Sequence, residues 1–187
     1  MTKWNFINRS YFDCFIIFHN PTITLLIFRC FINNNHSYGA VATQTGSRLT
    51  MQDVVIKGTA PQANDMTGGR GLSVTQGAYA LVSRGIVASN HSAGVLVSRP
   101  GTTAIFEDVL VRDTIPAPCR DRIDCSPSGG SGIVVFDNAS LVLRDFEARG
   151  NALAGLQIIQ AATSSEAYAS FDSSWLAGWG ALPAFLI

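Results

Sequence analysis

The side chains best suited to chemistry collect in two polar stretches. One, from Thr114 to Ser131, holds Cys119, Arg120, Asp121, Arg122, Asp124 and Cys125. The other, from Thr59 to Arg70, holds Asp65 and Arg70, and His91 stands between the two in sequence. Asp53, Asp108 and Asp145 recur behind similar apolar strings. Two carboxyls facing each other across a cleft, ~6.5–9.5 Å apart, could run inverting glycoside hydrolysis. Stacked carboxylates could also invite calcium, although a pair falls far short of the six to eight oxygens that ion takes. Cys119 and Cys125 could close a small disulfide in an oxidising compartment or remain two free thiols. A metal site suits them poorly, because the spacing is not a two-residue knuckle and no second Cys/His pair accompanies it.

These residues must be positioned by something, and the chain supplies a repeat. Gly39-Ala-Val-Ala, Gly71-Leu-Ser-Val, Gly94-Val-Leu-Val, Gly132-Ile-Val-Val and Gly155-Leu-Gln-Ile read alike. Two of the intervals are 23 residues (71 to 94, 132 to 155), and the other two are longer, so those units carry insertions. A second string follows the first four: Leu49-Thr-Met-Gln-Asp-Val-Val-Ile, Ala80-Leu-Val-Ser-Arg-Gly-Ile-Val, Ala104-Ile-Phe-Glu-Asp-Val-Leu-Val and Leu141-Val-Leu-Arg-Asp-Phe-Glu-Ala. Alternation with period two predicts strands. A unit this short cannot bury its own apolar face, so it must stack on copies of itself.

Stacking predicts six inward ladders. They are Leu72/Val95/Ile133/Leu156, Val74/Val97/Val135/Ile158, Leu49/Ala80/Ala104/Leu141, Met51/Val82/Phe106/Leu143, Val54/Gly85/Val109/Phe146 and Ile56/Val87/Val111/Ala148. Gly85 is the weak point, where a local shift could place Ile86 inside. Asp53, Arg84, Asp108 and Asp145 then share a turn row, with Arg84 between two aspartates in an exposed salt ladder. Asn90, Thr114 and Asn151, with Thr59, share the next corner, where Asn accepts left-handed geometry and bonds neighbouring backbone. Outward positions leave two apolar strips, Leu81/Ile105/Val142 and Val55/Ile86/Leu110. Such strips suggest a covering partner, a covering tail or self-association.

The pattern Gly-φ-x-φ followed by φ-x-φ-x-Asp-φ-x-φ, with φ apolar, resembles the right-handed parallel β-helix repeats of the pectin-lyase-like superfamily over Gly39 to Ile159. It is also similar to repeat regions of bacterial secreted and surface solenoids. The resemblance implies an all-β fold: a right-handed single-stranded parallel β-helix of about four to five coils, with ends that look truncated. It implies little about activity. The Asn-Thr-Asp, Asp-Asp, Gly-His-Gly and Arg-Ile-Lys motifs of the polygalacturonase-like hydrolases are absent. The pectate-lyase-like enzymes need clustered calcium-binding acids beside a catalytic Arg, and Asp121-Arg122-Ile123-Asp124 is one charged stretch, not a cluster.

Residues 1–38 differ in composition: they hold no Gly, Ala or Val, and six of the eleven Phe. They read as an atypical extension, a degraded export signal or an N-terminal cap. Their apolar runs fall short of the ~20 residues of a membrane span. Residues 39–160 carry the repeat, and 161–187 read as a degenerate last coil and apolar tail containing Trp175, Trp179 and Phe185. With 47% hydrophobic and 14% charged residues the chain can bury a core, and its thirteen basic and thirteen acidic groups cancel. That balance argues against nucleic acid, which selects a basic excess.

Both insertions, 59–70 and 114–131, leave the same corner, while the links after Asn90 and Asn151 are short. Long loops flanking a short-linked coil would make a shallow trough lined by Asp65, Arg70, His91, Arg120, Asp121, Arg122 and Asp124. Insertions of a solenoid map to one face, often the binding face. The reading that follows is a non-catalytic module of the cell exterior or envelope, binding a glycan or protein surface without a cofactor. The alternatives are a polysaccharide lyase or glycoside hydrolase of this fold, with calcium as the candidate ion, and a truncated fragment without function.

Overall fold

The computed structural model describes residues 15–19, 24–64, 67–118, 128–159, 168–172, 175–176 and 185–186. These residues form an all-β structure whose main strands run parallel in two sheets. The strands in chain order are β1 (Phe15–His19), β2 (Thr24–Phe28), β3 (Phe31–Asn33), β4 (Tyr38–Thr43), β5 (Arg48–Lys57), β6 (Arg70–Thr75), β7 (Tyr79–Ala88), β8 (Ala93–Ser98) and β9 (Thr103–Arg112). They continue with β10 (Pro116–Ala117), β11 (Ser128–Gly129), β12 (Ser131–Phe136), β13 (Ser140–Arg149), β14 (Leu156–Ile159), β15 (Tyr168–Asp172), β16 (Trp175–Leu176) and β17 (Phe185–Leu186). The larger sheet runs β1-β2-β5-β7-β9-β13-β15, with β3 also on β5 and β16 also on β13; the second runs β17-β14-β12-β8-β6-β4. Each unit therefore gives one short strand to the second sheet and one ten-residue strand to the first.

All six predicted ladders appear in the strand register: Leu72 pairs Val95 and Val95 pairs Ile133, while Met51 pairs Val82 and Val82 pairs Phe106. Their members are almost all under 3% exposed and form one continuous apolar core. Gly85 stands inside, between Val54 and Val109, and Ile86 points outward between Val55 and Leu110.

The ten-residue strands bend in the middle, and the bend explains the phase of the sequence pattern. Asp53, Arg84, Asp108 and Asp145 hold φ of 56, 51, 54 and 47°. A left-handed residue resets the alternation of a strand, so Met51 and Val54, three apart, both face the core. Asp tolerates this geometry better than most residues, and Arg tolerates it poorly.

The ladders run past Gly39 into the compositionally distinct segment. β2 pairs β5 from Thr24↔Arg48 to Phe28↔Gln52, and β3 pairs β5 from Phe31↔Val55 to Asn33↔Lys57, both in parallel. Arg29, at φ 52°, takes the place of the turn-row residue. Leu25, Ile27, Cys30 and Ile32 thereby occupy inward positions, and β1 closes that edge antiparallel to β2. At the other end β15 and β16 pair with β13, and β17 pairs with β14, also in parallel.

Candidate functional site

The corner between the ten-residue strand of one unit and the short strand of the next carries both insertions. It is built on a buried column: Thr59 and Asn90, then Thr114 and Asn151, all at most 2% exposed. Asn90 Oδ1 accepts the backbone N–H of Thr59 (3.0 Å), and its Nδ2 donates to the carbonyl of Ile56 (3.4 Å). Asn151 does the same one pair up, accepting from Thr114 N–H (3.1 Å) and donating to Val111 O (3.3 Å). The expected left-handed geometry falls one residue earlier than anticipated, on Gly58, Ser89, Asp113 and Gly150. The Asn side chain supplies hydrogen bonds to backbone; its neighbour absorbs the turn.

This column also accounts for the leading glycine of each unit. A Cβ on Gly71 would lie 2.6 Å from Asn90 Nδ2 and 2.7 Å from Gly94 O, and one on Gly132 would lie 2.6 Å from both Asn151 Nδ2 and Gly155 O. None of these glycines has a positive φ. The repeat demands glycine because backbone and a buried polar column come too close for any side chain.

The corners are of two kinds, and they alternate. Asn35-His36-Ser37-Tyr38-Gly39 and Asn90-His91-Ser92-Ala93-Gly94 are short links. Thr59-Ala60-Pro61 and Thr114-Ile115-Pro116 each open a hairpin that returns through Gly68-Gly69 and Gly129-Gly130. In the first hairpin Pro61 bridges Gly68 in antiparallel fashion and Gln62 N–H donates to Thr67 O (2.8 Å); in the second β10 pairs β11. Each Gly-Gly return packs on a left-handed serine of the short corner below, Gly68 on Ser37 and Gly129 on Ser92. The repeating structure at this corner is thus two units long. The doubled signal (35 to 90 and 59 to 114, each 55 residues) was legible in the sequence but hidden by reading the chain one unit at a time.

Of the residues expected to line the trough, the structure places two at the first hairpin. His91 Cβ lies 2.8 Å from where a Cβ on Gly69 would stand, and its Nδ1 is 3.0 Å from Thr59 O. Arg70 follows Gly69, but its guanidinium turns to the unit below, 5.7 Å from the Tyr38 ring centroid and 3.4 Å from the Tyr38 hydroxyl. Asp65, Arg120, Asp121, Arg122 and Asp124 lie outside the described residues, as do Cys119 and Cys125. Among the described residues of segments 34–39, 58–71 and 89–94 there is no carboxylate, and Arg70 carries a positive charge. Cys30 is disulfide-bonded, and its partner lies outside the described residues.

Of the expected salt ladder in the turn row, the pair between Arg84 and Asp53 is formed. Arg84 donates Nε to Asp53 Oδ1 (2.6 Å) and Nη2 to Oδ2 (2.9 Å). That paired hydrogen bond, aided by the charges of Arg84 and Arg29, holds the Asp53 carboxyl below its ordinary value against the opposing effect of burial. A parallel pair joins Arg144 Nη1 to Glu107 Oε1 (2.6 Å). Among the described residues no group of three or more His, Cys, Asp or Glu is placed to hold a metal ion, and no helix is long and apolar enough to cross a membrane.

The two outward strips keep their predicted register, Leu81↔Ile105↔Val142 and Val55↔Ile86↔Leu110, but are half-buried rather than exposed. Stacked neighbours at one strand spacing, about 4.8 Å, shield each other's flanks. Among the described residues the exposed large apolar ones are instead Phe31, Tyr38, Val41, Ile115, Leu153 and Ile159.

No protein-family model, curated protein or solved structure matches the chain.

Proposed function

We propose that the chain is a right-handed parallel β-helix of about four to five coils, akin to the pectin-lyase-like solenoids, whose insertions serve binding rather than catalysis. Its role is that of a module on the cell exterior or envelope that holds a glycan or protein surface. The observation that carries this reading is the pair of hairpins leaving one corner two units apart. A rigid ladder that presents two projections at a fixed spacing is a frame for recognition, and loops on rigid scaffolds are where proteins place function. The bonded Cys30 supports the location, because disulfides persist in oxidising compartments. The turn-row acids Asp53, Asp108 and Asp145 shape the strand bends, and Asp53 is held by Arg84, which leaves them poorly placed as a catalytic couple.

The test is binding and turnover on one panel of acidic and neutral polysaccharides. The expected result is retention on at least one polymer without release of products, lost when residues 116–129 are replaced by a short link. Calcium-dependent release of unsaturated sugars that disappears in Asp124→Ala or Arg122→Ala would overturn the reading in favour of a lyase.

A further inference from the structure

The left-handed bend divides each ten-residue strand of the larger sheet into two arms, and Arg29 marks the same bend between β2 and β3. The outer face of the second arm carries an ordered charge pattern. Three rows run along it in the direction of the stack. The row at the bend is Arg29, Asp53, Arg84, Asp108 and Asp145. Two residues on, the central row is Phe31, Val55, Ile86, Leu110 and Glu147. Two further on, the far row is Asn33, Lys57, Ala88, Arg112 and Arg149, again in register. Where the bend row holds aspartate, the far row holds lysine or arginine; where it holds arginine, the far row is uncharged. Every unit obeys this rule. The two edge residues of one unit lie about 13 Å apart along the strand. That is too far for them to pair with each other, so contacts within a unit do not explain the match. The first arm has no equivalent: its edge rows are Arg48, Tyr79, Thr103 and Ser140, and Gln52, Ser83, Glu107 and Arg144. Both edges of the second arm reach solvent, with the side chains of Arg84, Arg112 and Arg149 45%, 43% and 53% exposed.

We propose that this face is the interface of a two-fold dimer, occupied by the same face of a second copy of the chain. A two-fold axis parallel to the stack and laid along the central row turns the bend edge of one copy onto the far edge of the other. The rotation leaves height along the stack unchanged, so each unit meets its own counterpart. Asp53, Asp108 and Asp145 of one copy then face Lys57, Arg112 and Arg149 of the other. Arg29 and Arg84 face Asn33 and Ala88, so no like charges meet along the edges. Val55, Ile86 and Leu110 meet their own copies at the axis, at the ~10 Å separation of packed sheets. Any other partner must bring the reverse charge pattern at the same spacing; a second copy carries it already. Complementary charge fixes the register of such a contact, and an isologous contact closes on itself. The ion pairs that edge residues make within one copy, Arg112 with Asp113 (2.6 Å) and Arg149 with Glu147 (3.3 Å), are exposed and cost little to rearrange.

Sedimentation equilibrium of the full chain tests this with four variants: Ile86→Lys, Asp108→Arg, Arg112→Glu and the last two combined. Ile86 points outward, so lysine there charges the central row without entering the core. Arginine is already accommodated at the bend, by Arg84 at φ 51°. The expected mass is twice the 20.0 kDa of one chain. It falls to one chain in Ile86→Lys. It falls toward one chain, at the same protein concentration, in either single reversal, because each sets like charges face to face. The combined reversal restores the dimer, since it exchanges the signs of two edges that meet only in this arrangement. Far-ultraviolet circular dichroism is expected to stay unchanged throughout; should Ile86→Lys unfold, the charge variants decide. A monomeric wild type overturns the proposal, as does a mass above two chains. So does a dimer indifferent to these substitutions, or a combined reversal no more dimeric than the single ones.

Discussion

The Asn corners and the Thr corners occupy equivalent positions and are held differently. Asn90 and Asn151 each bond two backbone groups of the unit below and lead into a short link. Each Thr receives its partner through the backbone N–H, while its hydroxyl is buried without a partner on both Thr59 and Thr114. The comparison separates two tasks. Asn corners fasten adjacent units together; Thr corners, where the column has no amide to spare, release the chain into a hairpin. The column tolerates an insertion where its own side chain contributes least.

Several substitutions would break or sharpen that contrast. The largest effect belongs to what both corners share. Gly132→Ala places a methyl 2.6 Å from Gly155 O and from the Asn151 amide, and both obstacles are fixed. Overpacking typically costs about 1–3 kcal/mol; against such fixed atoms the upper end is expected, and denaturant unfolding should show it as a large fall in midpoint. Next is Asn90→Ala, which leaves the buried Thr59 N–H without an acceptor and loses the bond to Ile56 O. An unsatisfied buried group costs about 1–3 kcal/mol, so a smaller but clear loss is expected by the same measurement.

Thr114→Val should act in the opposite direction. It keeps the shape, removes an unpartnered hydroxyl and leaves the N–H bond to Asn151 intact. A gain of up to about 1 kcal/mol is expected, and a loss of the size seen for Asn90→Ala would show that the two corners are equivalent after all.

The smallest effect lies away from the corner, in the salt ladder. Because the Asp53 carboxyl is held below its ordinary value, the Arg84 pair contributes stability above that value and loses it as pH falls into the range below about 4. The Asp53 and Arg84 side chains are 23% and 45% exposed, so screening limits the pair to about 0–1 kcal/mol. Arg84→Gln should therefore differ slightly from wild type at pH 7 and not at pH 2, as judged by thermal unfolding at both values.

Much of the fold was legible because the ladders write themselves into the chain at constant spacing. Leu72, Val95 and Ile133 stand at the same place behind their glycines, and the left-handed turn row appears as an Asp or Arg at the one point where alternation skips. The N-terminal stretch concealed its place for a compositional reason. Leu25, Ile27, Cys30 and Ile32 fill the same inward positions as Leu49, Met51, Val54 and Ile56, but without glycine, alanine or valine around them the stretch does not resemble its neighbours. The alternation of corners was hidden because its period is two units and its insertions differ in length.

The sequence by itself determined the inward set, the turn row and the corner from which the insertions depart, since each depends on local alternation repeated at short range. It could not say why glycine leads each unit. That answer lies in the approach of Gly94 O to Gly71 and of Asn90 Nδ2 to the same point, a meeting of backbone and side chain from different units. Nor could it say which trough residues converge. Arg70 turns down to Tyr38 while His91 is held by Thr59 O, because each side chain answers to whatever the stack sets above or below it. Contacts along a strand follow chain order and can be read from it; contacts between units exist only once the units are stacked.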